Sequence, residues 1–162
     1  MRLWIHAVAL TIVLTLVGCA GPSAPESANA ELAYEATQTL LIEEDFSQWD
    51  QYFHADAQLN GSALAQTIIR GTAQALHHSF PDVEVRLVEQ ISTADKVVTR
   101  FSLEGTHDGY FSNLKPTHQR VTFSGISIDE FRDGRIQQRF MLLDLYTLSR
   151  DLAAAAQAKG SQ

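Results

Sequence analysis

The chain has 162 residues, of which 45% are hydrophobic, and its formal net charge is −7. This length allows one domain with a substantial core. The acidic balance argues against a nucleic-acid partner, because affinity for nucleic acid comes largely from Lys and Arg meeting phosphates. The only cysteine is Cys19, which excludes a framework of disulfides within the chain. No spacing of the His-Glu-x-x-His kind occurs, so we expect no metal.

Residues 1–18 have the layout of a secretory signal. Arg2 is the only charge, and a largely apolar run follows from Leu3 to Val17. The run is too short for a helix that must span about 30 Å of hydrocarbon. We therefore predict a cleaved signal segment over residues 1–18.

The end of this segment, Leu16-Val17-Gly18-Cys19, resembles the lipobox of bacterial lipoproteins. The resemblance implies that the Cys19 thiol takes a diacylglyceryl group and that the chain is cut before it. The alternative is that Cys19 is a small apolar residue of the signal or of a buried helix. Acyl chains would hold the protein on a membrane, since each buried methylene contributes about 0.8 kcal/mol. Ala20 resembles the residue that follows in lipoproteins of the Gram-negative outer membrane, so we expect a location in the envelope facing the periplasm.

The next segments predict a tether and then helices. Residues 19–29 comprise the lipidated Cys and a stretch of Gly, Pro, Ser and Ala, which predicts a flexible tether. A folded domain is expected over 30–152 and a tail over 153–162. Apolar residues recur at helical spacing over 30–44, and a short aromatic helix is expected over 46–53. Asn60-Gly61 predicts a turn, and a third helix runs from Ser62 to about Ser79, where Pro81 stops it.

After Pro81 the pattern changes to strands. Alternating apolar and polar residues predict strands near 83–87, 97–107 and 121–131. Asp133-Gly134 is a hairpin signal, and a last strand is expected from Arg135 to about Tyr146. An Ala-rich helical tail ends the chain. Helices followed by a meander of antiparallel strands predict an α+β domain, a cone in which helices pack on a strongly curved antiparallel sheet.

Motifs in this half of the chain resemble the SnoaL-like polyketide cyclase family of the nuclear transport factor two-like superfamily. They are Phe80-Pro81-Asp82, Gly105-Thr106-His107-x-Gly109, Pro116-Thr117, Val121-x-Phe123-x-Gly125-x-x-Ile128, Asp133-Gly134-Arg135-Ile136 and Asp144-x-x-x-Leu148. The resemblance implies a cone-shaped α+β barrel with one apolar cavity. The chain departs from the family pattern at Phe140, where Trp is common, and at His118, where Gly is common.

The resemblance also implies two catalytic residues. Asp144 matches the family's general acid/base, and its apolar neighbours predict burial that raises its pKa. The alternative is a carboxylate at a strand end that caps the following turn or pairs with Arg139 or Arg150. His107 matches a position at the cavity mouth, where it would orient the Asp or polarise a carbonyl. Its alternative is a His that bonds backbone in a turn.

Seven further residues are candidates for binding an apolar ligand: Trp49, Tyr52, Phe53, Asn60, Phe101, Phe123 and Phe140. For Trp49, Tyr52 and Phe53 the alternative is an aromatic stripe that faces the core. The expected function is binding of a small apolar carbonyl compound, with acid–base chemistry of the aldol cyclase, isomerase or hydrolase type and no cofactor. The alternatives are a binding module without catalysis and an interaction protein that uses the open sheet face, including as a homodimer.

Overall fold

The structure is a computed structural model that describes residues 24–160, with side chains described for 27–158. The predicted signal segment and Cys19 lie outside these residues. The described chain forms helices and strands with the following bounds: α1 Ala24–Thr37, a π-helical turn Gln38–Ile42, a 3-10 turn Phe46–Gln48, α2 Trp49–Tyr52, β1 Phe53–Leu59, α3 Ala65–Ser79, β2 Glu84–Ser92, β3 Lys96–Thr106, β4 Arg120–Arg132, β5 Arg135–Leu143 and α4 Leu145–Gly160.

The five strands form one curved, unclosed sheet in the order β1-β5-β4-β3-β2. The meander from β2 to β5 is antiparallel, as predicted. The expectation of an antiparallel sheet throughout is wrong at one edge, because β1 pairs parallel to β5. The sequence of β1, Phe-His-Ala-Asp-Ala-Gln-Leu, is poor in β-branched residues, so its strand character comes from pairing rather than from propensity.

Two predicted boundaries fall inside helices. Helix α1 begins at Ala24, so the predicted tether is wrong over residues 24–29. A tertiary contact helps to order this part, since the Asn29 side chain donates to the carbonyl of Ala94 at 3.1 Å. The predicted tail from 153 continues α4 to Gly160. Leu148 and Leu152 of α4 are buried, which anchors the helix to the rest of the domain.

Aromatic rings fill much of the space between helices and sheet. Phe53, Phe80 and Phe101 are fully buried. The ring of Phe101 lies against Gly125 of β4, where a Cβ atom would overlap it. The glycine of the family motif is therefore a packing requirement, because a side chain there would displace a core ring.

A buried ion pair connects the sheet to α1. Arg139 of β5 donates to both carboxylate oxygens of Asp129 at 2.6 and 3.0 Å, and both side chains are almost fully buried. The same guanidinium donates to the carbonyl of Ala33 and to the Thr37 hydroxyl. Burial raises the pKa of Asp129, an effect that Arg139 opposes. With all three of its nitrogens bonded, Arg139 joins β4, β5 and α1 into one unit.

Candidate functional site

A pocket of about 470 Å³ lies between α3, the loop after β3 and the start of α4. Its wall is mostly apolar, and the side chains of one face of α3 supply more than half of it. The lining residues are Ile68, Gly71, Thr72, Ala75, Leu76, His78, Ser79, Tyr110, Phe111, Ser112, Leu143 and Leu145. A concave apolar wall with a few polar groups is typical of a small-molecule site.

The loop after β3 is held against the C-terminal end of α3. The backbone N–H groups of Asp108 and Gly109 each donate to the carbonyl of Ser79 at 3.1 Å. The Ser79 hydroxyl donates to the carbonyl of Tyr110 at 2.9 Å. A Cβ atom at Gly109 would overlap the carbonyl of His78, so only glycine permits this approach. These contacts place Tyr110 and Phe111 in the pocket wall.

The Phe80-Pro81-Asp82 motif fixes the neighbouring end of the sheet. The Asp82 carboxylate accepts from the backbone N–H and the hydroxyl of Thr106 at 2.6 and 2.8 Å, and from Arg120 at 3.1 Å. The hydrogen bonds from Thr106 lower the pKa of Asp82. Asp82 therefore joins the end of β3 to the beginning of β4, on either side of the loop that carries the pocket wall.

His107 is completely buried immediately behind this wall. Its Nδ1 accepts from the backbone N–H of Thr117 at 3.2 Å, which places the ring proton on Nε2. Within the described chain, Nε2 has no hydrogen-bond partner. The rings of Phe80 and Phe111 lie 5.6 and 6.5 Å away, centroid to centroid. Burial lowers the pKa of His107, so the ring is neutral and its Nε2–H lacks a partner among the described residues.

Asp144 directly follows β5 and does not line this pocket. Its side chain is exposed and accepts from the backbone N–H of Thr147 at 3.0 Å, which caps the N-terminus of α4. That hydrogen bond lowers the pKa of Asp144, so the predicted burial and raised pKa are wrong and the alternative of a capping carboxylate is confirmed. Alternation along the chain explains the difference, because Leu143 and Leu145 line the pocket while Asp144 between them points away.

Comparison with known proteins gives the family. The family model of SnoaL-like polyketide cyclases matches residues 31–152. The chain belongs to this family. No curated protein sequence matches it. Among solved structures, the family fold recurs in AclR from Streptomyces galilaeus, a proposed hydroxylase, at 20% identity and a TM-score of 0.67 over 79% of this chain and 86% of that one.

Two further structures have the same fold. A proposed SnoaL-like polyketide cyclase from Jannaschia sp. CCS1 is 22% identical, with a TM-score of 0.64 over 83% of this chain and 98% of that one. IdmH from Streptomyces antibioticus, a proposed polyketide cyclase, is 21% identical, with a TM-score of 0.65 over 81% and 99%. These structures share the cone fold of the family, and the matched family model indicates a small-molecule-binding domain.

None of the seven predicted ligand-binding residues lines this pocket of the family member, although Asn60 and Phe140 line a second, more polar cavity of about 360 Å³. Phe53, Phe101 and Phe123 are in the core. Trp49 stacks on Phe53 at 4.3 Å, centroid to centroid, and the buried Tyr52 hydroxyl lies 3.1 Å from that of Thr39. The aromatic stretch 46–53 therefore packs in the core, which is the alternative that the sequence left open.

The remaining two predicted residues serve the edge and the outer face of the sheet. The Asn60 amide bonds the backbone N–H and carbonyl of Met141 at 2.8 and 3.0 Å, which ties the end of β1 to β5. Phe140 is 48% exposed on the face away from the helices. The pocket is lined instead by residues such as Ile68, Ala75 and Tyr110. Only the helical spacing of the α3 positions signals this set in the sequence.

Within residues 24–160, no three His, Cys, Asp or Glu side chains are close enough together to hold a metal ion. No helix among these residues is both long enough and apolar enough to cross a bilayer.

Proposed function

We propose that the domain binds a small, largely apolar molecule that carries a hydrogen-bond acceptor such as a carbonyl. The observation that carries this proposal is the unpaired Nε2–H of His107 behind the pocket wall. A buried donor without a partner costs about 1–3 kcal/mol. A ligand oxygen that accepts this hydrogen bond would remove that cost, so the polar group favours a ligand with an acceptor over a pure hydrocarbon.

Phe111 separates His107 from the pocket. Its side chain lines the pocket and also contacts the His107 ring edge-on. A rotation of Phe111 about χ1 would open the wall towards Nε2. The ligand would then lie between α3 and the loop, with its acceptor directed at His107 and its apolar part against Leu76 and Leu143.

The same arrangement supports acid–base chemistry on a carbonyl compound. A neutral imidazole N–H can stabilise an enolate oxygen in a site from which water is excluded. His78 and Tyr110 line the pocket and are residue types that transfer protons. Aldol cyclisation, isomerisation and hydrolysis are all compatible with these groups. Binding without turnover is the second candidate, favoured by the mostly apolar wall.

The hydrogen bond can be tested with a matched pair of probes. 2-Acetylnaphthalene carries a ketone, and 2-ethylnaphthalene has a similar shape without an acceptor. We expect the wild-type chain to prefer the ketone about two- to tenfold, as one hydrogen bond predicts, and His107→Leu to lose that preference. A preference that survives in His107→Leu would contradict the role given to Nε2, whatever the variant's absolute affinity.

The pocket can be tested with two substitutions on α3. Ala75→Trp would fill the pocket, whereas Gln74→Trp places the same ring on a neighbouring exposed position that does not line it. Native mass spectrometry of the full chain from its own host should show a retained small molecule in wild type and Gln74→Trp but not in Ala75→Trp. Equal retention in all three chains would place the ligand elsewhere.

We also propose that the chain is held in the bacterial cell envelope by lipid on Cys19. The sequence Leu16-Val17-Gly18-Cys19 after a signal-like segment supports this. Cys19→Ala should move the protein from the membrane fraction to the soluble fraction. Membrane attachment that persists in Cys19→Ala would refute the lipid anchor without bearing on the pocket.

The outer sheet face supports a homodimer. Phe140 and Leu142 are 48% and 59% exposed there. Their partners on the neighbouring strand β4 are Ile128 and Ile126, respectively. Paired apolar positions of this kind suit a two-fold contact in which each copy presents the same patch. Sedimentation should show a dimer that Phe140→Glu dissociates, while Leu64→Glu, at an exposed apolar residue beside α3, leaves it intact. A monomeric wild type would refute this contact.

A further inference from the structure

We infer that the pocket opens at the end of the domain that faces away from the anchoring membrane, so that its ligand enters from the aqueous phase rather than from the bilayer. The inference rests on the proposed lipid anchor at Cys19 and on the proposed pocket. It follows from the direction of α1, the position of the pocket along the sheet and the short chain between Cys19 and Ala24.

Helix α1 starts at the turn end of the sheet, the end that carries the β2–β3 and β4–β5 turns. Asn29 bonds the carbonyl of Ala94 in the first of these turns, and the backbone N–H of Phe131, near the second, donates to Asp95. The helix then crosses the sheet obliquely, because the Tyr34 hydroxyl donates to the carbonyl of Val85 at the other end while Ala33 and Thr37 accept from Arg139 near the turn end. Ala24 therefore stays near the turns, within about 7 Å of Asn29 for a helical rise of 1.5 Å per residue.

The pocket lies at the opposite end. Strand β5 leaves the turn at Arg135 and reaches the pocket wall at Leu143. At about 3.3 Å per residue this distance is roughly 26 Å. The loop after β3, which supplies Tyr110 and Phe111, lies at the same end because β3 runs away from the turn at Ala94.

The chain between the anchor and the helix is too short to invert the domain. Cys19 is five residues before Ala24, a separation of at most about 18 Å. A domain with its pocket against the membrane would hold Ala24 roughly 20–30 Å above the surface. The anchor would not reach, so the pocket mouth of an anchored chain cannot face its own membrane.

Charge disfavours a domain that lies on its side along α1. Glu31 and Glu35 are exposed on the outer surface of this helix, and an anionic lipid surface repels carboxylates. Apolar residues are exposed instead around the pocket, where the lining residues Ile68, Tyr110 and Leu145 are 39%, 55% and 43% exposed. These side chains would therefore meet a ligand or its carrier in solution.

Energy transfer to labelled lipid tests this orientation. The full lipidated chain is purified and inserted into vesicles that contain a headgroup-labelled acceptor lipid. One donor dye is attached either at Ala94→Cys in the β2–β3 turn or at Tyr146→Cys beside the pocket mouth. Cys19 is the only native cysteine and is acylated, so the dye reacts only with the introduced residue. We expect transfer from position 94 to exceed that from position 146 by about twofold or more, given the separation of about 26 Å along the strand.

Each other outcome overturns the inference in a distinguishable way. Equal transfer from both positions, or greater transfer from position 146, would show the pocket beside the membrane although the anchor is in place. Transfer from neither position, as expected for the Cys19→Ala control, would refute the lipid anchor itself. The naphthalene probes measure the pocket independently of both results.

Discussion

Two buried polar side chains in the interior of this domain have opposite surroundings. Arg139, under α1, donates from all three of its guanidinium nitrogens to Asp129, Ala33 and Thr37. His107, behind the pocket, has one nitrogen bonded to Thr117 and one that has no partner among residues 24–160. The first region is complete without a ligand, whereas the second has a hydrogen bond left to make. The difference indicates which part of the interior serves stability and which serves binding.

The largest expected effect is at Arg139, where every guanidinium nitrogen is hydrogen-bonded. Arg139→Met should lower the free energy of unfolding by about 3–5 kcal/mol, because it leaves the Asp129 carboxylate buried without its partner. Chemical denaturation measures this. Lys96→Met is the matched control, because the ion pair of Lys96 with Glu130 neighbours the buried pair but is about half exposed. Its loss should leave the free energy of unfolding nearly unchanged. A small effect of Arg139→Met would mean that Asp129 is protonated or solvated in the variant.

The second effect concerns the loop that forms the pocket wall. Gly109→Ala should lower the free energy of unfolding by about 1–3 kcal/mol, because its Cβ would collide with the carbonyl of His78. Binding of 2-acetylnaphthalene should weaken as well. Gly71→Ala, in the middle of α3 with open space around its Cβ, should instead stabilise by about 0.5–1 kcal/mol. Similar destabilisation in both variants would contradict the close approach at Gly109.

The third effect is a pH dependence of stability that comes from His107. Burial lowers the pKa of His107 below the ordinary histidine value of about 6.5, so just below that pH the unfolded chain binds a proton there that the folded chain does not. Stability from this residue is present above pH 6.5 and is lost as the pH falls below it, by about 1.4 kcal/mol for each unit of depression. Between pH 7.5 and 5.5, the free energy of unfolding should fall less for His107→Gln than for wild type, as chemical denaturation would show. An equal loss in His107→Gln and wild type would contradict the role given to His107.

The smallest effect is expected at Asp144. Asp144→Asn should lower the melting temperature only slightly, because an Asn side chain can still cap α4. Affinity for 2-acetylnaphthalene should not change, since the carboxylate does not line the pocket. Isothermal titration of both chains measures this. A large loss of affinity would return Asp144 to the site and refute its assignment as a capping residue.

The motifs in the sequence predicted the architecture better than they predicted the site. The structure contains the predicted strands of the meander and the predicted turn at Asp133-Gly134, because alternation and turn chemistry are local signals. Gly109, Gly125 and Asp82 also prove to be structural, each fixing a close approach or a strand end. Motif residues of this kind identify the family fold and say little about the ligand.

The pocket could not be predicted because its residues carry no motif. Ile68, Ala75 and Tyr110 come from a helix face and a loop that meet only in the folded domain. Asp144 misled for a related reason, since apolar neighbours in sequence were interpreted as burial. Leu143 and Leu145 line the pocket on the other side of the chain, whereas Asp144 is exposed beside Leu142. Its cap on α4 depends on where β5 ends, and element boundaries are the least reliable part of a prediction from sequence.

The parallel edge strand has a consequence for the order of folding. Strands β2 to β5 are consecutive in the chain, whereas Asn60, at the end of β1, bonds Met141 across 81 residues. Closing a loop of that length lowers entropy before the contact is made, which slows it relative to hairpins. The meander should therefore form before β1 docks, and α3, which connects β1 to the meander, should reach its final place last. Pulse-labelled hydrogen exchange during refolding should find amides of β3 and β4 protected before those of α3, so the pocket would be the last feature of the domain to mature.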